Sequence, residues 1–342
     1  MLKVGVIGTG MIGQDHIRRM TTVLSGVAVT AVTDVDMAVA GEVGGRVGAT
    51  VHTSGPELIA DPSVDAVVVC SWGPTHEEYV LGSIAAGKPV FCEKPLATTQ
   101  AACLRIVEAE SAYGGRLVQV GYMRRYDEAY RALKAVLATG EIGEPLLMHC
   151  VHRNASVPSF YGEQMAITDT AVHEIDMVRW MFNEEIAATR VLIPRRSSHG
   201  GALQDPLLLI LETASGVLVD VEISVNIRYG YDIRGEVVGE RGAAALGSLS
   251  AVEVRRANQV STPVPADWRE RFIRAYDVEF QEWIDSIAGG GQPVGPSAWD
   301  GYAAAVVSDA GVVALRTGDR VLVVLAEKPK LYLSPSAPGA AL

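Results

Sequence analysis

Lys94, Asp169 and His173 are the residues of this 342-residue chain whose types and surroundings best suit proton transfer. Lys94 stands in Glu93-Lys94-Pro95, directly after the apolar run 89–92. There a strand delivers its last side chains to the edge of a sheet. A lysine in such a place can hold a substrate oxygen or exchange a proton with it. Asp169 and His173 are four positions apart, and on a helix such positions share a face. The carboxylate can then orient the imidazole and stabilise its charged form. Asp176 lies on roughly the same side. Each feature has a plainer alternative: a surface lysine in a turn, and a solvated Asp/His pair. Val172, Ile175, Val178 and Met181 show that this helix packs on something, which puts its polar edge at a boundary.

A second chemistry is written in Gly8-Thr9-Gly10-Met11-Ile12-Gly13. The turn follows the short apolar strand 3–7 and opens a helix that carries Ile17 and Met20 inward. Glycines at these positions permit the tight turn, let the backbone approach a pyrophosphate and let helix pack on strand. The helix N-terminus then offers free N–H groups to the phosphates, with Met11 and Ile12 in its first turn. Asp34 ends the next strand and can accept hydrogen bonds from the adenosine ribose hydroxyls. Its charge would repel a 2′-phosphate, and no basic residue follows until Arg46, so NAD is expected rather than NADP. The glycine run 41–48 lacks the Lys-Ser/Thr ending of a P-loop and reads as a poor helix.

In an open parallel sheet, ligands bind beyond the carboxyl ends of the strands. Ser71, Trp72 and His76 in the stretch 71–76, Glu93 and Lys94, and Arg124 in the stretch 121–125 fall there and are expected to meet the cofactor. His149 and His152 invite a metal, but three positions apart on a strand they point to opposite faces. No metal is expected. Cys150, His152 and Asn154 do share a face, so His152 and Asn154 can line a polar pocket.

The elements that must position these residues alternate at first. Strands at 3–7, 27–33, 66–70, 89–92 and 117–120 are separated by helices, among them 76–86 and 98–113. Short β-rich runs alternating with helices predict a parallel sheet covered on both faces. After Gly121 the pattern changes. Helices at 127–138 and 169–182 are followed by strands at 146–152, 188–193, 207–212, 217–224, 233–238 and 252–255, with tight turns between them. That pattern predicts a large, mostly antiparallel sheet. Helices at 268–287 and 299–317 close the domain. The expected architecture is an α/β Rossmann domain over 1–121, an α+β domain with an open-faced sheet over 122–333, and a frayed tail over 334–342.

The bulk numbers exclude other classes. A net charge of −11, with no Lys/Arg cluster, argues against a nucleic-acid partner. The apolar runs are too short to span a membrane. The four cysteines form no C-x-x-C pair and suit a reducing compartment. The chain enters a strand directly after Met-Leu-Lys, so no signal peptide is expected. A cytoplasmic protein follows.

Taken together these motifs resemble the Gfo/Idh/MocA oxidoreductase family over nearly the whole chain. The anchors are the segments 8–13, 71–76, 92–96 (Cys-Glu-Lys-Pro-Leu), 121–127, 169–176 and 229–233. The stretches 169–173 and 152–154 look like the branch that acts on inositol. The resemblance implies a Rossmann domain plus an open-faced sheet that mediates dimers and tetramers. It implies Lys94, Asp169 and His173 as the catalytic set and a polyol as substrate, with NAD accepting a hydride from a ring carbon. His173 would remove the hydroxyl proton, and Lys94, charge-coupled to Asp169, would hold the same oxygen. Lys94, Arg124, His152, Asn154, Asp169, His173 and Tyr231 are then expected to bind the substrate. An aldose dehydrogenase of the same family and a non-catalytic NAD-binding regulator are the rival expectations. Which stereoisomer is preferred does not follow from residue spacing.

Overall fold

Valine-rich runs buried on both sides build a parallel sheet in the computed structural model, which describes residues 1–247 and 252–333. Its strands are β1 (Leu2–Ile7), β2 (Val27–Thr33), β3 (Thr50–Val51), β4 (Ala66–Val69), β5 (Val90–Glu93) and β6 (Val118–Gly121). They are hydrogen-bonded in the order β3-β2-β1-β4-β5-β6, all parallel. The intervening helices are α1 (Met11–Thr22), α2 (Met37–Val47), α3 (Gly55–Ala60), α4 (His76–Ala85) and α5 (Gln100–Tyr113). Strand order reverses between β1 and β4, and at such a switch point the loops that follow both strands open onto one crevice. Those loops begin at Gly8 and Cys70.

Two small elements in and beside this sheet escape sequence patterning. β3 has two residues and α3 six, too few to show a period. Ser54 nonetheless caps α3, with proline in the first turn. The glycine run is a helix, as expected, and it begins earlier, where Asp36 accepts from Ala38 and Val39 N–H. Gly48 ends it in the left-handed region at φ 73°.

The second unit begins with α6 (Glu128–Thr139), β7 (Pro145–Arg153) and α7 (Val172–Phe182). β8 (Ile186–Leu192), β9 (Leu207–Thr213), β10 (Leu218–Ser224), β11 (Asp232–Gly239) and β12 (Ala243–Ala245) follow. Next come β13 (Val254–Arg256), β14 (Gln259–Ser261), α8 (Trp268–Ile287), α9 (Ala298–Thr317) and β15 (Val321–Leu322). Seven strands pair in the order β12-β11-β7-β10-β9-β8-β15. The sheet is antiparallel except that β7 and β10 run parallel, from Leu147 opposite Leu218 to Arg153 opposite Ser224. Met148, Cys150 and His152 are buried on one face of β7, and His149 lies exposed on the other. The expected strand at 252–255 is instead part of a separate two-stranded ribbon, β13 with β14.

The structure adds to the sequence reading in two places. The first compact unit is not one continuous segment. Among the described residues, one compact unit is Met1–Tyr122 with Tyr276–Ala305 and 325–333; the other is Met123–Ala275 with Val306–Val324. The reason is packing: Phe280, Trp283, Ile284 and Ile287 of α8 complete the core of Val4, Val6, Val29 and Phe91. The helix expected over 169–182 is also not uniform. Residues Ala166–Ala171 form a π-helical turn that leads into α7. Asp169 and His173 straddle that change of winding, so the α-helical i, i+4 geometry does not apply to them directly. The tail 334–342 lies outside the described residues.

Candidate active site

The glycine turn has the geometry that a dinucleotide needs. Gly8 has φ +97°, and a Cβ there would sit 2.6 Å from the Cys70 and Ser71 backbone. A Cβ on Gly13 would fall 2.0 Å from the Gly8 carbonyl oxygen, so helix and strand touch only because both are glycine. Gly10, which caps α1 without a side chain, has nothing within 4 Å of where its Cβ would be. The first turn of α1 holds no acidic residue. An uncapped, open helix N-terminus of this kind fits a pyrophosphate. Asp34 is tied down beside it, accepting from Thr9 N–H at 2.5 Å, from the Thr9 hydroxyl at 3.1 Å and from Asp36 N–H at 3.0 Å. The two Thr9 donors fall on Oδ2, and Oδ1, which receives the Asp36 N–H, keeps acceptor capacity for a ribose hydroxyl.

The crevice loops are braced against one another. The two ring nitrogens of buried His76 lie 2.7 Å from the Pro95 carbonyl and 2.9 Å from the Ser71 carbonyl. The Ser71 and Thr75 hydroxyls are 2.7 Å apart, while Trp72 is 78% exposed. Lys94 is half-buried, and the Lys94–Pro95 bond is cis. Its backbone N–H donates to Glu93 Oε2 at 3.2 Å. Glu93 Oε1 lies 2.7 Å from His16 Nε2, and His16 Nδ1 is hydrogen-bonded to Arg19. Burial alone would push the Glu93 carboxyl up; the hydrogen bond and charge interaction with His16, and the Lys94 charge, hold it below the usual carboxylate range. Burial pushes the His16 imidazole down.

In the second unit two of the expected residues, Arg124 and His152, meet one that patterning missed, and two more, Tyr231 and His173, lie against His152. Glu174, 1% exposed, pairs with Arg124 Nη1, and one of its oxygens lies 3.0 Å from His152 Nδ1. Arg124 Nη2 is 3.1 Å from the same His152 nitrogen. The Tyr231 hydroxyl lies 3.4 Å from His152 Nε2, and the His152 and His173 ring centroids are 6.3 Å apart. The sequence places Arg124 at the cofactor and the substrate. In the structure its guanidinium is 1% exposed and engaged with Glu174 and His152, so its immediate partners are protein groups. Burial opposes ionisation of Glu174, but the Arg124 charge and the His152 interaction outweigh it and hold the carboxyl down. Burial pushes the Tyr231 phenol up to about 12, against the pull of Arg124.

Asp169 is half-buried on the π turn, next to Thr170, whose hydroxyl is 2.6 Å from that of Tyr161. Asn154 is fixed through its backbone, its N–H donating to Ser224 and its carbonyl accepting from Ile227 N–H. His149 faces away from His152 and lies 2.5 Å from Asp220. Among the described residues no group of three His, Cys, Asp or Glu is placed to hold a metal. Among the same residues no helix is long and apolar enough to cross a membrane.

A Rossmann nucleotide site joined in one chain to a mixed-sheet α/β domain defines the class. Residues 2–122 match the model of the oxidoreductase family with an NAD-binding Rossmann fold, and residues 134–323 match that family's C-terminal α/β domain. The chain belongs to the Gfo/Idh/MocA oxidoreductase family. Within it, the chain is 55% identical over 334 residues to inositol 2-dehydrogenase of Pseudomonas syringae, covering 97% of this chain and 99% of the relative. Inositol 2-dehydrogenase 3 of Saccharopolyspora erythraea is 54% identical, with 97% and 98% covered. Among solved structures, myo-inositol dehydrogenase from Lactobacillus casei in complex with NAD(H) and myo-inositol superposes with a TM-score of 0.95 at 42% identity, covering 97% of this chain and 99% of that one. A myo-inositol dehydrogenase from Corynebacterium glutamicum gives 0.86 at 25% identity, with 95% and 100% covered.

Proposed function

We propose that this protein oxidises a ring hydroxyl of an inositol, taking myo-inositol to 2-keto-inositol with NAD as acceptor. The observation that carries the reading is the 55% identity to an inositol 2-dehydrogenase over 97% of the chain. NAD, when bound, supplies the hydride acceptor. Gly8, Gly10, Met11, Ile12 and Gly13 would receive its pyrophosphate and Asp34 its ribose. Ser71, Trp72, His76, Glu93, Lys94 and Arg124 are the further residues assigned to its side of the site, the last through the buried cluster it anchors.

His173 is assigned as the base that removes the hydroxyl proton. Lys94 holds and polarises the same oxygen, and Asp169 balances the lysine charge, which would otherwise be costly to desolvate. His152, Asn154 and Tyr231 are assigned to the remaining hydroxyls. A site that hydrogen-bonds several hydroxyls rejects analogues that lack them. Lys94→Ala and His173→Ala are each expected to lower kcat by about 10²–10⁴-fold. NADH formation in single turnover measures this, and near-normal rates in either variant would remove that residue from the mechanism. Parallel rates on myo-inositol, its epimers and aldoses, with NAD and NADP, test the substrate and cofactor.

The wider setting is part of the same proposal: a cytoplasmic homotetramer in inositol breakdown. Support comes from the open sheet face, where Leu147 of β7 sits beside Leu218 of β10 and both are exposed. Exposed apolar patches on a sheet mark association surfaces. A monomeric mass in light scattering would overturn this part alone.

A further inference from the structure

His16 is fully buried one turn into the cofactor-binding helix, and the mechanism above makes no use of it. Its ring is wedged against Phe280, centroid to centroid 4.4 Å, and against Tyr276 at 5.7 Å, so it has one orientation. Arg19 can only donate, so the Nδ1 facing it must accept. That leaves the proton on Nε2, where it is donated to Glu93 Oε1. Arg19 is itself held by Asp15 at 2.7 Å and by Asp277 at 3.1 Å. The other oxygen of Glu93 accepts from Lys94 N–H, and Gly121 packs closely on that carboxylate, since a Cβ there would be 3.1 Å from Oε2.

We propose that His16 is a positioning residue: a neutral ring, locked in one tautomer by Arg19, that holds the Glu93 carboxylate and through it the backbone of Lys94. The chain of bonds ties the helix that binds the pyrophosphate to the strand end that carries the lysine. The inference rests on the assignment of Lys94 to the substrate oxygen. The charged and titratable groups facing this pair are Asp15 and Arg19 from α1, and Tyr276 and Asp277 from α8. Cys70 lies beyond β4, and Cys92 and Lys94 flank Glu93 on its own strand. Loss of the His16 proton removes this donor from Glu93 Oε1.

Two substitutions separate positioning from bulk. The Gln amide nitrogen reaches the place of Nε2, so His16→Gln keeps the donor, whereas His16→Leu fills the space without it. His16→Gln is expected to keep kcat and its pH profile within about twofold. His16→Leu is expected to lose about tenfold in kcat near pH 7, with an acid limb displaced upward so that the loss shrinks as pH is raised. Calorimetric NAD affinity should change far less than kcat. Equal losses in both variants, or a folded His16→Leu with an unmoved pH profile, would overturn the proposal. Wild-type protein that turns over no polyol with NAD would instead overturn the functional reading. Should His16→Leu not fold, the tautomer decides. The chain has seven histidines, so long-range ¹⁵N–¹H spectra of wild type can show whether one stays neutral with Nε2–H from about pH 6 to 9. A His16 that titrates in that range, or carries its proton on Nδ1, would overturn the proposal.

Discussion

Glu174 carries one charge in a place where water cannot reach it, and Arg124 is the partner that makes this tolerable. Removing one member of such a pair leaves the other buried and uncompensated, which costs about 3–5 kcal/mol. Glu174→Gln is therefore expected to destabilise by roughly that much, read as a lower denaturant midpoint; a change under about 1 kcal/mol would contradict the pairing. It should also impair turnover, because His152 loses a partner on Nδ1. The sequence displayed Lys94, the glycine turn and Asp34 because each sits in a short string whose neighbours explain it. Glu174 and His16 were hidden for the opposite reason. Arg124 is 50 residues from Glu174, and Glu93 is 77 from His16. The signals were present, with polar His16 and Arg19 beside apolar Ile17 and Met20, and with Arg124-Arg125 mirrored by Glu174 and Asp176. Only the fold says which charges meet.

Among the elements, α2 is built with glycines that have unequal duties. Gly41 and Gly45 are exposed, with nothing within 4 Å of an added Cβ, whereas a Cβ on Gly44 would be 2.6 Å from Val51 Cγ2. Gly41→Ala and Gly45→Ala are each expected to stabilise by about 0.5–1 kcal/mol through lower chain entropy and better helix propensity. Gly44→Ala is expected to destabilise. Thermal midpoints check both signs, and a rise with Gly44→Ala would mean that β3 yields freely. The long, strongly periodic elements followed from hydrophobic pattern, and most of their ends shift by a residue or two. The π turn at Ala166–Ala171 did not, because its apolar spacing differs from an α-helix by a single residue. The parallel pairing of β7 with β10 did not either, because a strand's neighbours depend on tertiary context that local turns do not encode.

Across the molecule, stability depends on pH through groups that titrate in two ranges. Glu93 and Glu174 have folded pKa values below the ordinary 4.5, so their contribution is complete above about pH 4.5 and is lost as pH falls through the folded values. His16 is buried neutral with a folded value below 6.5. The unfolded chain therefore binds its proton first, and stability declines from about pH 6.5 downward. The denaturant midpoint is expected to start falling near pH 6.5 and to steepen below about 4.5. A midpoint constant from about pH 7 to 5 would contradict a neutral buried His16.

The return of α8 to the first unit has a consequence in time. A ribosome releases the chain from its amino end at about 5–20 residues per second. When Tyr122 emerges, every strand of the parallel sheet exists, yet Phe280, Trp283, Ile284 and Ile287, which complete its core, have not been made. For on the order of 10–30 s the nascent sheet must wait with an apolar face open to water. The nucleotide-binding unit begins synthesis first and cannot be finished until the second unit has been almost entirely translated.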